Sequence, residues 1–110
     1  MIQDTITKMR TRIEASESVR PERRAELLEL LDTLEKEVST LPSTHREQAQ
    51  SLAGFADLSA HEATRATPNP QLLQLSLQGL SSSAAEFEKS HPRLVHIVNA
   101  ISHTLSNLGI

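Results

Sequence analysis

The sequence has no cysteine, tryptophan or tyrosine, only two phenylalanines and only three glycines in 110 residues. Without cysteine there is no disulfide, no thiolate metal ligand and no cysteine nucleophile. The scarcity of aromatics removes the usual large anchors of ligand pockets and interfaces. It also removes the platforms on which many nucleic-acid binders stack bases. Three scattered glycines leave no phosphate-cradling loop. A net charge of -3 gives no long-range pull toward polyanions. No run approaches the roughly 18 apolar residues of a membrane span, so no membrane partner is expected. The start, Met1-Ile2-Gln3-Asp4, lacks the basic stretch and apolar run of a secretory signal. A chain without cysteine fits a reducing compartment, and the expected location is the cytoplasm.

What the sequence does have is helical periodicity. Apolar residues make up 37%, a lean supply for one domain spanning 1–110, so a partner is expected to complete the burial. Ile2, Ile6, Met9 and Ile13 mark a first helix over 3–17. Pro21 suits the first position of a second helix over 21–41. There Leu27, Leu31, Leu34, Val38 and Leu41 keep coiled-coil spacing, for too few heptads to make a long rod. Pro42 ends it. Thr44 and Glu47 read as a capping box that opens a third helix over 45–66.

That third helix carries a stripe of Ala49, Ala53, Ala56, Ala60 and Ala63, which lets a neighbouring backbone approach closely. A second strip, Leu52, Phe55 and Leu58, runs obliquely off it. Two readings stay open: a central helix of the monomer, or a face that docks a partner helix. After the break at Thr67-Pro68-Asn69-Pro70, Asn69 reads as an N-cap for a fourth helix over 70–89. Its main seam is Leu73, Leu77, Leu80, Ala84 and Phe87, with Leu72, Leu75 and Gly79 to one side. Ser90 or His91 should cap a fifth helix with Leu94, Val98, Ile101, Leu105 and Leu108 on one face and Gly109 as its C-terminal cap. The expected fold is all-α: an antiparallel bundle of about five helices, two hairpins joined by the Ala-rich helix.

Phe87, Glu88, Ser90, His91, Pro92 and Leu94, with Leu108, Gly109 and Ile110 at the end, form a Phe-Glu-x-Ser-His-Pro-x-Leu corner and a Leu-Gly-Ile close. This pattern resembles a family of short bacterial helical proteins catalogued only as a domain of unknown function. The resemblance implies a small helical bacterial protein and brings no activity, cofactor or catalytic residue with it.

No set of residues demands a chemistry. His96 and His103 lie two turns apart on one helix, about 10 Å along its axis, too far for one ion. His61-Glu62 opens like a zinc-protease helix, but Arg65 stands where a second histidine is needed. His91 could join Ser90 and Glu88 in a small polar site, or simply cap the last helix. Ser81, Ser82 and Ser83 follow no strand and lack a nucleophile elbow. Lys8, Arg10, Arg12, Arg20, Arg23 and Arg24 gather near the first turn, but Asp4, Glu14, Glu17 and Glu22 interleave with them, unlike a nucleic-acid footprint.

The sequence therefore points to a non-enzymatic helical interaction module that self-associates, as a homodimer or with a partner helix. No cofactor, metal or nucleic acid is expected. The candidate interface is Leu52, Phe55, Leu58, Leu72 and Leu75. The alternative is a small-molecule carrier or sensor with an apolar pocket between helices.

Overall fold

The structure, a computed structural model, describes residues 2–108. Five α-helices account for most of it: α1 Ile2–Ala15, α2 Pro21–Ser39, α3 Arg46–Thr64, α4 Pro70–Ala85 and α5 Pro92–Leu108. A short 3-10 turn, Ser43–His45, leads into α3. No strand occurs among the described residues. The fold is an all-α bundle.

The helices close a ring around one core. α1 packs on α2, α2 on α5, α5 on α4, α4 on α3 and α3 on α1, and α3 also meets α5 across the middle. The heptad seams supply that core. Ile6, Met9 and Ile13 come from α1, Leu27, Leu31 and Leu34 from α2, and Leu94, Val98, Ile101 and Leu105 from α5. Leu73, Leu80 and Ala84 add the buried face of α4, and Phe87 is buried in the turn beyond it. The alanine stripe of α3 is buried along its whole length, so its close-packing face is covered inside the chain. This makes α3 the central helix of the monomer.

The ends of the helices show where local chemistry overrides periodicity. α2 stops at Ser39 rather than 41. Leu41 precedes Pro42, which disfavours helical backbone there. Ser39 and Thr40 hydroxyls donate to the last carbonyls, those of Lys36 and Glu37. The capping box at Thr44 and Glu47 does not form. The 3-10 turn starts directly after Pro42, so Thr44 already lies within a turn of helix and its hydroxyl bonds the His45 ring instead. Asn69 does cap α4: its side-chain oxygen accepts from the amides of Gln71 at 3.1 Å and Leu72 at 3.2 Å. α4 ends at Ala85, short of 89, and residues 86–90 form the corner. The expected cap at Gly109 lies outside the described residues.

Candidate interaction face

The most extensive packing of two helices joins α3 and α4, and both helices bury small residues. Ala56, Ser59, Ala60 and Ala63 on α3 and Ser76, Ser83 and Ala84 on α4 are all buried. Three of these are serines, whose hydroxyls must be satisfied away from water. Each bonds back to its own helix: Ser59 to the Phe55 carbonyl at 2.8 Å, Ser76 to Leu73 at 2.8 Å, Ser83 to Gly79 at 2.9 Å. A serine that bonds inward this way packs as a small, nearly apolar residue. The sequence reading missed these serines because their type suggests solvent. Their spacing, Ser59 three after Ala56 and four before Ala63, was the available signal.

Gly79 has a distinct role. The ring of Phe55 lies where a side chain at position 79 would stand. This contact fixes the register of the antiparallel pair. Leu58 then lies level with Ser76 and next to Leu75, and Leu72 lies one turn further on, all within about 10 Å along the axis. Phe55 and Leu58 on α3 thus come beside Leu72, Leu75 and Gly79 on α4. Phe55 is 37% exposed, Leu58 44%, Leu72 42% and Leu75 54%, and these are the exposed large apolar side chains among the described residues.

Leu52 is a correction. It is fully buried in the core and takes no part in this face. Steps of three residues drift by about 60° around a helix, since each residue turns about 100°. Across Leu52, Phe55 and Leu58 the strip therefore leaves the core face and ends outside. Leu52, at its start, still shares the buried side with Ala49 and Ala56.

The α4 side of the face is uncharged, whereas on α3 the paired Glu62 and Arg65 continue the line of Leu58. No Asp, Glu, Lys, Arg or His occurs between Arg65 and Glu86. The exposed positions of α4 around Leu72 and Leu75 are Gln71, Gln74, Gln78, Ser81 and Ser82. A surface helix usually presents charge to water, and loss of charged residues marks the centre of interfaces.

Other residues singled out by the sequence have ordinary roles. His96 and His103 are exposed on the outer side of α5. The His61 ring takes a bond of 2.7 Å from Arg12, which also reaches Asp57. Arg10 pairs with Asp32 and Glu35 on α2. Arg24 donates to the carbonyls of Ser16 and Val19 and fastens the turn between α1 and α2. The basic side chains near the first turn are thus largely spent on internal links. At the corner, the Ser90 hydroxyl and the His91 ring bond each other at 2.9 Å. The His91 carbonyl, not its ring, receives the first amides of α5, those of Leu94 and Val95. The ring packs against Phe87 and against His45 from the 3-10 turn, with centroids 6.0 and 5.4 Å away. Sequence reasoning missed His45 because its partners lie far along the chain.

Among the described residues no three His, Asp or Glu side chains converge as metal ligands. No described helix is long and apolar enough to cross a membrane.

The family model for Domain of unknown function (DUF4404) matches residues 2–110. The chain belongs to this family. The match runs through all five helices, so the Ala-rich α3 is part of the family's domain as well as the corner and the closing helix. No curated protein and no solved structure matches the chain.

Proposed function

We propose that this member of the family is a non-enzymatic interaction module of the cytoplasm that self-associates as a dimer through the α3–α4 face. The observation that carries this reading is the cluster of Phe55, Leu58, Leu72 and Leu75, exposed together on a face whose α4 side carries no charge. Exposed apolar patches of this kind mark sites of association.

A second copy is the occupant that the chemistry favours. In a two-fold dimer the same patch meets itself, so any charge near the axis faces its own like. The α4 side has no charge to repel, and on the α3 side Glu62 is already neutralised by Arg65 at 2.7 Å. The rim of glutamines and serines can both donate and accept hydrogen bonds, and so can pair with itself. Leu58 and Leu75, in the middle of the patch, are its central anchors, with Phe55 at one end.

The test is light scattering after size exclusion with refractive-index detection, because a chain without Trp or Tyr barely absorbs at 280 nm. The wild type should run as a dimer at high concentration. Phe55→Glu and Leu75→Glu should run as folded monomers, with unchanged helical circular dichroism. A wild type that stays monomeric refutes the proposal. A dimer that survives both substitutions places the interface elsewhere and refutes it equally.

A further inference from the structure

A groove of about 480 Å³ opens where the start of α1, the end of α2 and the start of α3 splay apart. Its volume lies within the range of small-molecule sites, about 300–1,000 Å³. Ile6 and Ala49 are buried beneath it, and Ile2, Val38 and Leu41 are half-buried and supply its apolar surface. It is separate from the face described above, with which it shares no residue.

Among the described residues two charged side chains line this groove, Glu35 and Arg46. Glu35 is already engaged, accepting from Arg10 at 3.2 Å. Arg46 is exposed and pairs with none of the described acids. A groove that sets half-buried aliphatics beside the polar Gln3, Ser39, Ser43 and Gln50 and one uncommitted guanidinium suits an amphipathic ligand. We propose that the groove binds an amphipathic carboxylate: the alkyl chain lies on Ile2, Val38 and Leu41, and the head group pairs with Arg46. Guanidinium suits that head because its planar fork matches a carboxylate in two parallel hydrogen bonds. Burying methylenes on the half-buried aliphatics supplies the rest of the binding energy. A long polyanion or a peptide of mixed charge would find no second cationic contact among the lining residues.

The experiment is an amide chemical-shift titration of the full chain with sodium octanoate, with 1-octanol as the uncharged twin. Leu75→Glu serves as a background in which the α3–α4 face carries a charge. Octanoate should cause saturable shifts centred on Val38, Leu41, Arg46 and Gln50. Both 1-octanol, and octanoate with Arg46→Gln, should bind weaker by about fivefold or more, the effect of losing one exposed charge-assisted contact. Arg46 is exposed, so Arg46→Gln leaves the core untouched. Absence of saturable shifts overturns the proposal. So do shifts centred on Leu58, Leu72 and Leu75, which would mean general adsorption to the exposed patch. Equal binding of 1-octanol, or of octanoate to Arg46→Gln, removes the head-group assignment and overturns it as well.

Discussion

The ring of Phe55 fills the space above Gly79: a β-carbon on that glycine would have three ring atoms within 2.9 Å. Glycine inside a helix ordinarily costs about 1 kcal/mol relative to alanine. Here it lets an aromatic ring from α3 settle against α4. Gly79→Ala should therefore fail to stabilise the protein, because the gain in helix propensity is offset by displacement of the ring. In a Phe55→Ala background the same change should stabilise by about 1 kcal/mol. Chemical denaturation of the four chains of this double-mutant cycle, at a concentration below association, measures the coupling. Equal effects of Gly79→Ala in both backgrounds would show that the ring does not rest there.

Gly54 is the counter-case on the neighbouring helix. It lies in the interior of α3, is exposed, and has nothing within 4 Å of where a β-carbon would be. Gly54→Ala should raise the denaturation midpoint, by about 0.5–1 kcal/mol in stability, without changing the slope. A destabilised variant would mean that another surface approaches Gly54 closely in solution.

Leu52 and Leu75 belong to the two side strips but differ in burial, 0% against 54% exposed. Leu52→Ala leaves a cavity among packed neighbours and should cost about 2–5 kcal/mol. Leu75→Ala should change the stability of the monomer by no more than about 0.5 kcal/mol. Its effect should fall on association instead. Thermal or urea denaturation at low concentration separates the two, and comparable losses would contradict the burial assigned to Leu52.

How much of this was legible in the sequence follows from which signals are local. The seams of α2 and α5 were readable because leucine, valine and isoleucine at steps of three and four leave few alternatives. The exposed side of α3 and α4 was readable for the same reason: Phe55 and Leu58 fall off the alanine stripe of α3, and Leu72 and Leu75 off the main seam of α4. Leu52 was misassigned because an oblique strip crosses the boundary between core and surface, and spacing alone does not say where. The buried serines were hidden by residue type. The meeting of His45 with His91, and the groove beside Arg46, depend on how distant segments pack, which no periodicity encodes.

The two candidate N-caps make a final comparison, since a cap is a local motif that the fold can accept or discard. Asn69 precedes Pro70 with extended backbone, and its side chain holds the amides of Gln71 and Leu72. Thr44 sits within the 3-10 turn and bonds the adjacent histidine ring. A cap that satisfies orphan amides contributes about 1 kcal/mol, and one that satisfies none contributes little. Asn69→Ala should therefore lower stability by about 1 kcal/mol, whereas Thr44→Ala should stay within about 0.5 kcal/mol of wild type. Both positions are exposed, so neither change opens a cavity. Urea denaturation of the two variants checks the ranking. A Thr44→Ala loss as large as that of Asn69→Ala would show that the capping box forms in solution and that α3 begins earlier than Arg46.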